Sequence, residues 1–114
     1  MTVRKPILFI SDPMRGYPNY NRPAFNELAQ KAIELDYIVL NPELLPTTLP
    51  DEAYMPICLA MLNTADFIYL LPGSENSVGS LAEQAFARVQ EIPVIKDLQT
   101  LESRALWWGP EGDF

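Results

Sequence analysis

Continuous apolar runs of strand length recur along the chain: Ile7-Leu8-Phe9-Ile10, Tyr37-Ile38-Val39-Leu40, Phe67-Ile68-Tyr69-Leu70-Leu71 and the shorter Pro93-Val94-Ile95. Apolarity that does not alternate predicts strands covered on both faces, as in a parallel sheet. The intervals between the runs carry apolar residues at helical spacing. Phe25, Leu28, Ala29, Ala32 and Leu35 form one set, and Met55, Cys58, Leu59 and Leu62 a second. A third helix is predicted from about Ser77 to Glu91, with Leu81, Ala82, Ala85, Phe86 and Val89 on its buried side. A last short helix is predicted over Leu98 to Leu106, followed by an irregular tail from Trp107 to Phe114. Pro23 suits a first helical turn, where its missing N–H costs little. Asp51 is placed to cap the second helix, and Pro56 should kink or restart it. Ser11 to Gly16, Tyr17 to Asn21 and the proline-rich stretch 41–50 read as loops.

The order β-α-β-α-β-α-β with short connections predicts an α/β fold. It should be a flavodoxin- or Rossmann-like doubly wound parallel sheet of four to five strands, with helices on both faces and strand order 2-1-3-4. One domain is expected over residues 1–114. In such sheets ligands bind where strand order reverses, beyond the carboxyl ends of strands one and three. Those ends carry Ser11 to Gly16 and Pro72 to Gly79, which should face each other across one crevice.

Composition narrows the chemistry. With 48% hydrophobic and 20% charged residues in 114, the chain should fold around one core. No apolar run approaches the ~18 residues of a membrane span, and the start lacks a signal peptide's cleavage region, so a cytoplasmic protein away from membranes is expected. A net charge of −7 disfavours long nucleic acid. A small anion remains possible, held by backbone amides and one local arginine. The chain has one cysteine and no histidine. That excludes an intramolecular disulfide, zinc sites built on Cys/His clusters, and Ser-His-Asp or Cys-His catalysis. No metal or cofactor is expected.

The candidate residues each have a plain and a functional reading. Ser80 and Glu83 have the spacing of a capping box; alternatively Glu83 is a nucleophile or general base aimed into the crevice. Helical projection puts it off the apolar face. Ser77, Gly79 and Ser80 form an ordinary strand-to-helix turn or cradle a phosphate at the helix N-terminus. Arg15 is a solvated loop residue paired with Asp12, or a bidentate anion ligand. Tyr17, Asn19, Tyr20 and Asn21 either pack or stack on a base. Asp66 lies at the wrong end of its strand for the crevice and should have a structural or solvent role. Cys58 reads as a small buried hydrophobe. Trp107 and Trp108 would close a subunit interface or cover the core edge.

Taken together, Ser11-Asp12-Pro13-Met14-Arg15-Gly16, Tyr20-Asn21-Arg22-Pro23-Ala24-Phe25-Asn26, Asn41-Pro42 and Leu70-Leu71-Pro72-Gly73…Asn76-Ser77-Val78-Gly79…Glu83 resemble the nucleoside 2-deoxyribosyltransferase-like superfamily. The similarity is to its short bacterial and phage branch, domain of unknown function 4406, over about Ile7 to Ile95. The resemblance implies cleavage or transfer of the N-glycosidic bond of a nucleoside or nucleotide, with Glu83 as nucleophile. It implies ligand or phosphate contacts from Ser11, Asp12, Met14, Arg15 and Gly16 in the first loop. Gly73, Ser77, Gly79 and Ser80 would supply the second. Phe9, Tyr17, Tyr20, Asn41 and Cys58 are the candidates for base or ribose contacts. It also implies a homodimer or larger assembly, with a neighbouring subunit completing the site.

Three positions depart from the superfamily pattern. Phe9 stands where a tyrosine is expected, Cys58 where a helix-two aspartate is expected, and Asp12 replaces the loop glycine. A phenylalanine cannot orient the nucleophile through a hydroxyl, and a cysteine is a poor acid for a leaving base. Two functions follow: a glycosidic-bond hydrolase or transferase, or a protein that holds a nucleotide or nucleotide signal without cleaving it.

Overall fold

The structure is a computed structural model that describes residues 4–11, 21–46 and 48–108, without the side chains of Glu43 and Asp51. Strands β1 (Ile7–Ser11), β2 (Ile38–Leu40), β3 (Phe67–Leu70) and β4 (Val94–Ile95) alternate with helices α1 (Arg22–Glu34), α2 (Asp51–Asn63), α3 (Val78–Val89) and α4 (Leu98–Leu106). All strand pairs are parallel, and the order is β2-β1-β3-β4, the predicted 2-1-3-4.

Side-chain alternation along the strands divides the core in two. Leu8 and Ile10 of β1, Phe67 and Tyr69 of β3 and Ile95 of β4 pack with Phe25, Leu28 and Ala32 of α1 and Leu101 of α4. Phe9 and Ile68, on the opposite face, pack with Cys58 and Leu62 of α2 and Ala87 of α3. The helices therefore cover both faces, which is why β1 and β3 show uninterrupted apolar runs.

Register is clamped at the amino ends of the central strands. The Asp66 carboxylate accepts from the Ile7 N–H at 2.8 Å and from both Arg4 guanidinium nitrogens at 2.7 and 2.9 Å. Burial works against its ionisation, but these hydrogen bonds and the Arg4 charge outweigh it and hold the carboxyl below its ordinary value. Of the two roles expected for Asp66, structural or solvent, the structural one holds.

Several local expectations need correction. α2 runs through Pro56 without a restart. Its N-cap is Pro50, with no side-chain cap bond, and Asp51 is the first helical residue; the Asp51 side chain lies outside what is described. α3 is turned away from the predicted orientation. It buries Ser80, Glu83 and Ala87, whereas Leu81, Ala82, Ala85 and Val89 are exposed and Phe86 is half-buried. A periodicity argument counts apolar residues only. It cannot see that the polar side of α3 meets a polar partner on β1.

Candidate active site

Ser11 closes β1 at the carboxyl end of the sheet, two residues beyond Phe9 and so on the same side as α2 and α3. Its neighbour across the ladder is Leu70. Beyond that pair the chain turns tightly. Leu71 N–H donates to the Ser11 carbonyl at 3.0 Å, and the buried Ser74 hydroxyl bridges the Ser11 and Leu71 carbonyls. Gly73 sits at φ 93°, a left-handed position suited to glycine, ahead of the 3-10 turn Ser74–Asn76. The turn delivers the chain to Ser77, whose hydroxyl caps α3 by accepting the Ser80 N–H at 3.2 Å.

That cap fixes the rotation of α3. Ser80 and Glu83, one turn apart, point back at the end of β1. Ser11 Oγ donates to Glu83 Oε1 at 2.6 Å and lies 2.6 Å from Ser80 Oγ. A hydroxyl has a single proton to give. With that of Ser11 spent on Glu83, Ser80 is the donor of the serine–serine bond. Gln84 Nε2 completes the chain, donating to Ser80 Oγ at 3.3 Å. The donors run in single file, Gln84 to Ser80 to Ser11 to Glu83, and end on the carboxylate. The capping-box reading of Ser80 and Glu83 is therefore replaced: Ser77 caps, and Glu83 bonds to a side chain 72 positions away.

Ser11, Ser80 and Glu83 are all buried, and Glu83 keeps 6% of its surface open. Burial pushes the Glu83 carboxyl up to about 7, against the Ser11 hydrogen bond, which favours ionisation. The expectation that Glu83 stands away from the core is corrected. It is buried because Ser11 satisfies it there. A carboxyl poised near neutrality suits a nucleophile or general base.

The other predicted site residues fall in different places. Phe9 and Cys58 are fully buried and pack together behind Glu83. They form part of the interior on the side of the sheet that α2 and α3 cover. Burial and the Glu83 charge push the Cys58 thiol up to about 12, opposed by a hydrogen bond with Tyr54. Gly79 lies in the first turn of α3, where an added Cβ would sit 3.4 Å from Met55 Cε. Asn41 follows β2, and its carbonyl accepts the Leu44 N–H at 3.1 Å. Asp12, Met14, Arg15, Gly16, Tyr17 and Tyr20 lie outside the described residues. The part of Ser74 and Gln84 was not read from the sequence, since both depend on which strand end lies opposite. Among the described residues, no group of three or more Cys, Asp or Glu side chains is gathered to suit a metal ion.

The profile of the domain of unknown function DUF4406 matches residues 6–96, which span all four strands and the glutamate. The chain belongs to the DUF4406 family. Within that family match lie the polar end of β1, the turn after β3 and the whole of α3. No curated protein matches the chain. Among solved structures, the DUF4406 chain is similar to a 2-deoxyribosyltransferase from the psychrotolerant bacterium Bacillus psychrosaccharolyticus, described as a biocatalyst for nucleoside synthesis. The TM-score is 0.63 at 14% identity, over 77% of this chain and 69% of that one. At that identity the likeness is one of fold.

Proposed function

We propose that the protein breaks or transfers the N-glycosidic bond of a nucleoside or nucleotide, with Glu83 as the nucleophile. The observation that carries this reading is the buried carboxyl beside the carboxyl end of β1, poised at about 7 and served by the Ser11 hydroxyl, which in turn accepts from Ser80. An ionised Glu83 oxygen would attack C1′ of the sugar. The C1′–N bond breaks, its electron pair leaves with the base, and a glycosyl ester remains on Glu83. Attack by water or a second base at C1′ then releases the sugar and restores the carboxylate. Ser11 would hold the attacking group in line, as the absent tyrosine hydroxyl at position 9 would otherwise do. The ligand itself would lie over the loops after β1 and β3, and a second copy of the chain would complete the site.

One observation favours a second reading, binding without cleavage. The thiol at the expected aspartate position is buried and pushed up to about 12, which makes it a poor acid for a leaving base at neutral pH. A panel of nucleosides, nucleotides and cyclic nucleotide signals separates the two. Free base and bound ligand are followed by chromatography with mass detection. Glycosidic chemistry gives free base with the wild-type chain, rising through about pH 7 as Glu83 loses its proton. Glu83→Gln then binds but releases none, and full turnover by that variant rejects the mechanism. Intact ligand recovered after denaturation, with no free base at any pH, establishes the binding reading instead.

A further inference from the structure

The file of donors that ends on Glu83 begins at Gln84, and the two serines alone do not fix its direction. Ser11 Oγ and Ser80 Oγ lie 2.6 Å apart, and either hydroxyl could donate to the other. If Ser11 gave its proton to Ser80, Glu83 Oε1 would lose its only donor among the described residues. Gln84 decides between the two arrangements from the outer end. Its Nε2 donates to Ser80 Oγ at 3.3 Å, so Ser80 already accepts and has its own proton to pass to Ser11. Were Ser80 to accept from Ser11 as well, its own proton would have no partner in the file, and Ser80 is buried.

The same bonds make the two oxygens of Glu83 unequal. Oε1 accepts the Ser11 hydroxyl, whereas Oε2 takes no hydrogen bond among the described residues, although the side chain keeps only 6% of its surface open. A buried carboxylate oxygen without a donor is costly, and no donor draws on its charge. Gln84 also suits both protonation states of Glu83. Below about 7 the carboxyl holds a proton and can donate to Ser11, Ser11 to Ser80, and Ser80 then needs an acceptor. Half a turn of the amide offers its oxygen in place of its nitrogen. A lysine there could only donate, and an ionised glutamate could only accept. Gln84 has room to turn, because it is half-buried and lines a cleft of about 450 Å³ between α3 and β4, with Arg88 and Lys96. No neighbouring charge explains the behaviour of the carboxyl instead. β1 and β3 present Phe9, Ser11, Ile68 and Leu70 on this face, none of which ionises. Cys58 of α2 is pushed up to about 12 and stays neutral through the range, and Arg88 of α3 is exposed.

We propose that Gln84 is a positioning residue for Glu83: acting through Ser80 and Ser11, its amide holds Oε1 as the bonded oxygen and leaves Oε2 as the one that reacts. The identity of the reacting oxygen rests on the glycosidic reading; the coupling of Gln84 to the carboxyl does not.

Carbon-13 NMR of the full chain, labelled at the glutamate carboxyl carbons and titrated from acid to alkaline pH, tests the coupling without turnover. The Glu83 signal is identified by its loss in Glu83→Gln. Gln84→Met is close in length and brings no donor. It should raise the Glu83 midpoint by about half a pH unit, which leaves a roughly threefold smaller ionised fraction near pH 6. Ser80→Ala should raise it at least as far, and adding Gln84→Met to Ser80→Ala should move it no further, since the path is already cut. Gln84→Leu serves if Gln84→Met fails to fold by circular dichroism. An unmoved midpoint in Gln84→Met overturns the proposal. So does an equal rise in the Ser80→Ala background, because Gln84 would then act by another route. Where base is released, Gln84→Met should lose about threefold in kcat near pH 6, little near pH 9, and nothing in KM. The same loss at every pH would mark a packing role and count against positioning. A wild-type chain that releases no base removes the glycosidic reading and the reacting oxygen with it, while a midpoint shift that passes through Ser80 still establishes Gln84 as the residue that positions the carboxyl.

Discussion

At the scale of the residue, Glu83 sets stability against function. Its carboxyl titrates at about 7 in the folded chain against an ordinary 4.5. Below pH 4.5 both folded and unfolded chains hold the proton, and the group is neutral to folding. Between the two values the unfolded chain releases its proton first, so stability falls as pH rises, and above about 7 the loss is complete. At about 1.4 kcal/mol per pKa unit the loss is roughly 3 kcal/mol. Glu83→Gln removes the titration while keeping an acceptor for Ser11. Urea unfolding should find the variant more stable than wild type by roughly 2–3 kcal/mol at pH 8, and level with it near pH 4. Equal stability at both pH values would mean that Glu83 ionises as it does in water. A buried charge retained at such a cost is what a functional group looks like.

At the scale of the element, the sheet is pinned at one end and left polar at the other. Asp66 ties β3 to β1 and to Arg4 at the amino end, so the carboxyl end is free to carry Ser11 and the turn to α3. Asp66→Ala removes those bonds, leaves the Ile7 N–H without its acceptor, and should cost about 1–3 kcal/mol. The Asp66 carboxyl is held below its ordinary 3.8. Its contribution is therefore present in full above that value and fades as pH falls through the lower, folded one. Thermal melts of both chains should converge in acid and separate at neutral pH. The elements themselves were largely readable beforehand. α4 has the limits expected, Leu98–Leu106. α1 buries the expected Phe25, Leu28 and Ala32. Only α3 faces the opposite way, because its polar residues have a buried partner far off in the chain.

At the scale of the molecule, the described chain closes on itself. The Trp108 indole N–H donates to the Arg4 carbonyl at 2.8 Å, and its ring packs edge-on to Phe67 beneath the Arg4 guanidinium. Trp108 thus covers the core edge, while Trp107 is 68% exposed. Trp108→Ala should lower stability by about 2–3 kcal/mol, somewhat less than truncation of a fully enclosed aromatic. Trp107→Ala should stay within about 0.5 kcal/mol of wild type. Denaturant midpoints measured side by side would check the contrast, and equal losses would refute it. Among the described residues no helix is long and apolar enough to cross a membrane.

Two kinds of information met in this chain. Apolar runs, helical periods and turn residues are local, and they were enough to determine the parallel sheet and its strand order. Glu83 was legible too, as a carboxylate in the first turns of a helix after a glycine turn. Its partner was not. Ser11 is 72 residues away, and no local pattern states which strand end faces which helix. Only tertiary structure could decide that Glu83 is buried, that Phe9 and Cys58 stand behind it in the core, and that the apolar side of α3 points outward. The physical reason is that burial of a polar group depends on a partner to satisfy it, and here that partner was supplied by the fold.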